Sequence, residues 1–177
     1  MLDSLITSKT RLKLILKFFL NPDASGHLRS LATEFGESTN AVRTELNRLT
    51  DAGLLETVQK GRSIDYKVNQ KHTLFPEIHS IVKKYLGIDE IIESIVMQLG
   101  NIELALITGD YALGIDSGLI DLVLVGEIDK GYLQNLIEKS EVLIHRKIRS
   151  LVLSDNEFEQ LKGKLSKERT LLLWKHE

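Results

Sequence analysis

Up to Leu99 the hydrophobic positions recur mostly at helical spacing, and beyond it compact apolar runs bounded by glycine take over. Leu12, Leu14, Ile15, Phe18 and Phe19 fall broadly on one side of a helix that Ser8 can cap. Asn21-Pro22 stops it, because proline cannot donate to a continuing helix. A second helix over 26–35 puts Leu28, Leu31, Ala32 and Phe35 on one face and ends at Gly36. After the turn Gly36-Glu37-Ser38 the spacing predicts a third helix over 39–52. Ser38 suits its N-cap, Val42, Leu46 and Leu49 form its buried stripe, and Gly53 stands just past its end. Residues 55–59 and 64–68 read as strands around Lys60-Gly61-Arg62-Ser63. Ile64, Tyr66 and Val68 alternate with Asp65 and Lys67, the pattern of a half-buried hairpin strand.

Two further helices follow. Pro76 opens one over 76–86 with Ile78, Ile81, Val82 and Tyr85 as its stripe, and Gly87 separates it from a second over 88–99 carrying Ile91, Ile92, Ile95, Val96 and Leu99. Both hold more apolar surface than a solvated spacer needs, so each packs on a second copy of the chain or on its own neighbouring domain. The runs 104–108 and 119–125 have the length of buried strands. Between them Gly109-Asp110-Tyr111-Ala112-Leu113-Gly114 forms a turn able to open a short helix. A helix over 130–142, a strand over 147–153 and a helix announced by the capping box Ser154-Asp155-Asn156-Glu157 complete the pattern. Residues 169–174 fit either a last strand or a helix-packing tail. The expected organisation is a domain at 1–75, a helical connector at 76–99, and a mixed sheet with helices on one side at 100–177.

Composition narrows the classes. The chain has 177 residues, 42% of them hydrophobic and 27% charged, which is ordinary for a soluble globular protein with a sizeable core. No apolar run reaches the roughly 18 residues of a membrane span, and lysines interrupt the N-terminal apolar stretch as no signal peptide allows. A cytoplasmic location is therefore expected. Absence of cysteine removes disulfides and thiolate metal sites, and the five histidines have no ligand spacing, so neither metal nor cofactor is expected. Charge is uneven: residues 1–75 carry 11 Lys and Arg against 8 Asp and Glu, and residues 76–177 carry 12 against 17. Two modules with different partners fit that asymmetry.

Residues 28–69, LRSLATEFGESTNAVRTELNRLTDAGLLETVQKGRSIDYKVN, resemble the winged-helix domain of ArsR-like bacterial regulators. The resemblance implies double-stranded DNA as partner, with the third helix entering the major groove by its N-terminal half and the wing reaching the flanking backbone. Thr39, Asn40, Arg43, Thr44 and Asn47 then face DNA. Arg43 can fork onto guanine and Asn40 or Asn47 onto adenine, while Ser38 and Thr39 can reach phosphate. Lys60 and Arg62 sit at the wing tip. Glu45 lies near that face and would weaken phosphate contact if it pointed outward. The cysteine or histidine clusters of metal-sensing relatives are missing here. Relatives also dimerise through helices after the wing, which implies a homodimer through 76–86.

Residues 104–126, LALITGDYALGIDSGLIDLVLVG, resemble the signature of minimal nucleotidyltransferase domains, relatives of DNA polymerase beta. That signature is a strand, Gly-Ser, a short helical turn, then Asp-hydrophobic-Asp on the next strand. Nucleotidyl transfer needs two magnesium ions held by carboxylates, and acids at i and i+2 of a strand share the face that holds them. Here Asp121 fills the second position, but Leu119 stands where the first acid belongs and 147–153 contains none. Asp110 follows Gly109 in place of serine, and Leu113 replaces the arginine common in the turn. The resemblance thus implies the fold, and its departures imply a domain without catalysis that senses a nucleotide or nucleotide-sugar or serves assembly. Asp110, Asp116 and Asp121 could gather around one cation, although no spacing compels it; Asp121 could equally be a hydrogen-bonded acid capping nearby backbone.

The expected fold class is α+β, an N-terminal winged helix-turn-helix plus a C-terminal nucleotidyltransferase-like mixed α/β domain. The expected role is a sequence-specific DNA-binding transcriptional regulator. Two other classes fit the same residues: a divergent nucleotidyltransferase enzyme, and an antitoxin-like protein-interaction module.

Overall fold

Residue contacts divide the chain into two units, Met1–Tyr85 and Leu86–Glu177, so that the two connector helices fall one into each. The structure is a computed structural model; it describes residues 2–61, 63–164 and 170–176, and of Asp3 and Lys60 the backbone alone.

In the first unit a short helix α1 (Leu2–Leu5) precedes α2 (Lys9–Leu20), where Ser8 Oγ accepts the Arg11 N–H at 3.2 Å. Leu14, Phe18, Phe19 and Leu20 of α2 are wholly buried. The helix expected over 26–35 begins two residues later. Ser25–His27 forms strand β1 instead, because its backbone groups pair with Asp65, Tyr66 and Lys67. Helix α3 (Leu28–Phe35) follows and ends at Gly36, whose φ of +65° sends the chain through a tight turn into α4 (Thr39–Asp51). Strands β2 (Leu55–Lys60) and β3 (Ser63–Val68) form the hairpin, giving an antiparallel sheet of order β1-β3-β2. Three helices with a helix-turn-helix, followed by this hairpin, make a winged helix-turn-helix. The alternation expected in β3 holds only at its base: Val68 is buried, whereas Ile64 is exposed because it sits one pair from the hairpin tip.

Helix α5 (Phe75–Leu86) is fastened to α2 by two contacts. The Phe75 ring stacks on Phe19 with centroids 5.9 Å apart, and His79 Nδ1 lies 2.5 Å from the Phe19 carbonyl oxygen. The face turned inward is therefore Phe75, His79 and Val82. Ile81, expected in the buried stripe, is exposed.

The second unit starts with a helical run that the periodicity predicts as one α-helix. It contains α6 (Ile88–Ile91), a π-helical turn Ile92–Val96, and α7 (Met97–Leu99). At that turn the Ser94 hydroxyl donates to the Glu90 carbonyl and lies 2.7 Å from the Ser140 hydroxyl. Strand β4 (Ile102–Thr108), helix α8 (Gly109–Ala112) and strand β5 (Leu119–Gly126) form the expected strand–turn–strand frame. Helix α9 (Lys130–Ile144) crosses over to β6 (Lys147–Leu153). Helix α10 (Asp155–Leu161), with the Ser154–Glu157 capping box in place, and a 3₁₀ turn Lys162–Lys164 lead to β7 (Thr170–Lys175). The tail is thus a strand. The sheet order is β6-β5-β4-β7, with β5 and β6 parallel and the other neighbours antiparallel.

Helices on one side alone were expected; both faces carry buried residues. One face buries Ile120, Leu122 and Leu124 together with Ala105 and Ile107. On the opposite face Phe158 and Leu161 pack against Leu106, Val123, Val125 and Leu153. No helix among the described residues is long and apolar enough to cross a membrane.

Candidate nucleic-acid interface

Helix α4 owes its placement to a division of its own surface. Val42, Leu46 and Leu49 are buried, and Ser38 Oγ accepts the Ala41 N–H at 3.1 Å to start the helix. The remaining faces carry Thr39, Asn40, Arg43, Thr44 and Asn47, all exposed, as is Ser38 itself. Arg43 Nη1 donates to Asn40 Oδ1 at 3.2 Å, and Thr44 Oγ1 donates to the Asn40 carbonyl oxygen at 3.0 Å. The exposed row thus presents a guanidinium, two amides and two hydroxyls, the groups that read base edges and phosphates.

Glu45 is turned away from that row. It is 6% exposed, with Ser8 Oγ donating to Oε1 at 2.9 Å, Arg11 Nε to Oε2 at 2.7 Å and Arg48 Nη1 to Oε1 at 3.2 Å. Burial pushes its carboxyl upward, but the Arg11 and Ser8 hydrogen bonds and the charges of Arg11 and Arg48 outweigh it and hold the group below the ordinary value. The one acid in the first three turns of α4 therefore faces α2 and offers no repulsion to a phosphate.

Beside the row lies an open groove of about 670 Å³ between α4, the start of α3 and the wing. Its walls include His27, Arg29, Arg43, Asn47, Ile64 and Tyr66, with no acidic residue among the described residues lining it. His27, Arg29 and Tyr66 escape the sequence reading, which places only α4 and the wing tip at DNA. No local signal marks Arg29, because it becomes a groove residue only through the pairing of β1 with β3. Of the two wing-tip residues expected to contact DNA, Arg62 and the side chain of Lys60 lie outside the described residues.

The second unit brings Gly109 and Asp121 together and keeps Asp110 and Leu119 exposed. Thr108 and Asp121 are register partners across β4 and β5, and Asp121 and Arg149 across β5 and β6. Arg149 Nε donates to Asp121 Oδ1 at 2.6 Å, and the pair holds the guanidinium above its ordinary pKa. Gly109 has φ +69°, and a Cβ there would stand 2.8 Å from Asp121 Oδ2.

Asp116 does not join Asp121 around a cation. Arg146 grips it at both oxygens, Nη2 to Oδ2 at 2.7 Å and Nε to Oδ1 at 3.1 Å, and the buried Tyr111 hydroxyl donates to Oδ1. Burial raises the Asp116 carboxyl, and the Arg146 and Tyr111 hydrogen bonds bring it below its ordinary value. Among the described residues no group of three or more His, Cys, Asp or Glu side chains is arranged to hold a metal ion.

No protein-family model matches the chain, and no curated protein does. Among solved structures the chain is similar to reduced HlyU from Vibrio cholerae N16961, at 18% identity over 47% of this chain and 82% of that one, with a TM-score of 0.37. It is also similar to the AntR antimony-specific transcriptional repressor, at 23% identity over 50% of this chain and 71% of that one, TM-score 0.36. A third likeness is to the tri-AMPylated HEPN toxin in complex with MNT antitoxin from Shewanella oneidensis, at 13% identity over 51% of this chain and 71% of that one, TM-score 0.37. Each likeness covers about half of this chain.

Proposed function

We propose that the chain is a sequence-specific DNA-binding transcriptional regulator. The observation that carries this reading is the surface of α4: Thr39, Asn40, Arg43, Thr44 and Asn47 are all exposed, while Glu45 is drawn inward by Ser8 and Arg11. A helix whose free face holds forked donors and amides, and whose acid is withdrawn, suits insertion into the major groove.

The chain acts as a homodimer through α5. Leu74 and Ile81 are exposed, and Ile78 and Tyr85 are half-buried, along a row spaced four, three and four residues apart. Antiparallel pairing of two such rows sets Ile78 against Ile81 and Leu74 against Tyr85. It also brings Glu77 near the opposite helix's Lys84. The second unit is catalytically inactive and serves assembly or the binding of a nucleotide-type ligand. Leu119 at the first acid position, the acid-free β6 and the Arg149 guanidinium on Asp121 support that reading.

Selection of bound duplexes from random DNA by the full chain, with and without nucleotides and magnesium, tests the reading. An enriched motif is the expected result, and Arg43→Ala should cost about 1–3 kcal/mol of discrimination at one position. Absence of enrichment, with only non-specific or no binding, overturns it.

A further inference from the structure

We infer that the start of α2 sets the angle at which α4 meets a duplex, with Lys13 as the positioning residue at the turn between α3 and α4 and Arg11 as its counterpart further along α4. This rests on the reading of the chain as a DNA-binding protein and gives a role to side chains that touch no DNA themselves.

One anchor is Glu37, the residue before the α4 N-cap. Lys13 Nζ donates to Glu37 Oε1 at 2.8 Å and to the Phe35 carbonyl oxygen at 2.9 Å, so a single ammonium ties the end of α3 and the turn to α2. The Lys13 hydrogen bond and charge outweigh burial and hold the Glu37 carboxyl below its ordinary value. The second anchor is Glu45, gripped by Ser8 and Arg11. Residues 8–13 thus hold α4 at two points roughly 10 Å apart along its axis. Thr39, Asn40, Arg43 and Thr44 fall between those points in the chain. Packing of the buried Val42, Leu46 and Leu49 is non-directional and tolerates a small tilt. Hydrogen bonds to charged groups are directional, and one at each end of the row removes that freedom. Base-edge contacts need it removed, since they require placement within roughly 0.5 Å and 10–20°. The carboxylate beside the Lys13 ammonium repels phosphate, so this pair acts on the duplex through α4 and not by contact.

The test uses the full chain, the duplex enriched from random DNA and a random-sequence duplex, and reads the ratio of the two affinities. Lys13→Met combined with Glu37→Gln removes the anchor at the turn without changing net charge. It should lower the ratio about fivefold and leave random-duplex affinity and its salt slope near native. Lys13→Arg keeps a cation for Glu37 and should hold the native ratio. Glu37→Gln alone leaves Lys13 on the Phe35 carbonyl and replaces the double variant if that chain shows no cooperative unfolding transition. It should also lower the ratio, although it takes a negative charge away from the phosphates. A native ratio in the variant that folds, with Arg43→Ala still losing discrimination, overturns this inference alone. Loss of random-duplex affinity and salt slope with the ratio kept also overturns it, because Lys13 is then a phosphate contact. If the native chain enriches no sequence, the inference and the DNA-binding reading fall together.

Discussion

Asp121 and Arg149 stand opposite each other on the parallel strands β5 and β6, with the Arg149 Nε 2.6 Å from Asp121 Oδ1. The Asp121 carboxylate is thus matched to a guanidinium on the neighbouring strand. A fixed cation of this kind satisfies the carboxylate and competes with a metal for the same oxygen.

The consequence is measurable as an absence of turnover. With nucleoside triphosphate and magnesium or manganese, pyrophosphate release by the full chain should stay at the buffer rate, and Asp121→Asn should leave it there. Calorimetry should give no magnesium binding at this site. Metal-dependent turnover that Asp121→Asn abolishes would restore the enzyme alternative. Gly109→Ala is a separate structural probe. It forces a Cβ to 2.8 Å from Asp121 Oδ2 at φ +69°, which should destabilise the second unit by about 1–3 kcal/mol in thermal or denaturant unfolding.

Glu45 makes the first unit sensitive to acid. Its folded carboxyl lies below the ordinary value of 4.5, because Arg11 and Ser8 bind the ionised form more strongly than burial penalises it. A depressed folded pKa contributes stability that is present above the unfolded value and lost as pH falls through the folded one. Unfolding free energy should therefore decline below about pH 4.5, and the decline should be shallower in Glu45→Gln. At neutral pH, Glu45→Ala should cost about 1–2 kcal/mol: the carboxylate is buried, but Arg11 and Arg48 are exposed enough to rehydrate. Equal pH slopes in the two chains would remove Glu45 from the account.

The direction of Glu45 illustrates which features sequence does not carry. Its position near the exposed row left the direction open, and the partners that draw it inward, Ser8 and Arg11, lie 37 and 34 residues earlier and leave no local trace. Ends of elements were legible for a local reason: Ser8, Ser38 and Ser154 cap their helices through side chains three residues from the amides they satisfy. Strand β1 was not, since three residues are too few for periodicity and only the partner β3 makes them a strand. The π-helical turn at 92–96 was equally hidden, because Ser140, the side chain that Ser94 meets there, is 46 residues away. At the candidate site the exposed row on α4 was legible as the complement of its buried stripe. Arg29 and the pairs Asp121–Arg149 and Asp116–Arg146 depend on tertiary register and were not.

Dimerisation through α5 predicts a single-residue switch. Ile81 is 49% exposed at the centre of the row Leu74, Ile78, Ile81 and Tyr85. Ile81→Glu sets a carboxylate against Ile78 of the opposite helix, with no partner for its charge, and should yield a monomer in sedimentation at micromolar concentration, where the native chain is expected to sediment as a dimer. Folding should be unaffected, because Phe75, His79 and Val82 hold α5 in place from its other face. DNA affinity for a two-fold site should fall steeply in the variant, since a monomer engages only one half-site. A native chain that sediments as a monomer would remove both the interface and the expectation of a palindromic site.

Tyr111 offers a spectroscopic reading of the turn between β4 and β5. Its ring is fully buried and its hydroxyl donates to Asp116, which Arg146 holds ionised. Burial, then the hydrogen bond to Asp116 and that carboxylate's charge, push the phenol far above its ordinary value of 10.0. A raised folded pKa contributes stability that is complete below the unfolded value and lost as pH rises beyond it, so alkali should unfold the second unit as Tyr111 is forced to ionise. Absorbance near the phenolate band should then include one step that coincides with loss of helix circular dichroism. Tyr111→Phe should remove that step, because phenylalanine fills the same space and has no proton to lose. Its cost at neutral pH should be about 1 kcal/mol, one hydrogen bond, with Asp116 still satisfied by both arms of Arg146. A Tyr111→Phe chain whose alkaline titration keeps the late step would show that the buried network does not govern it.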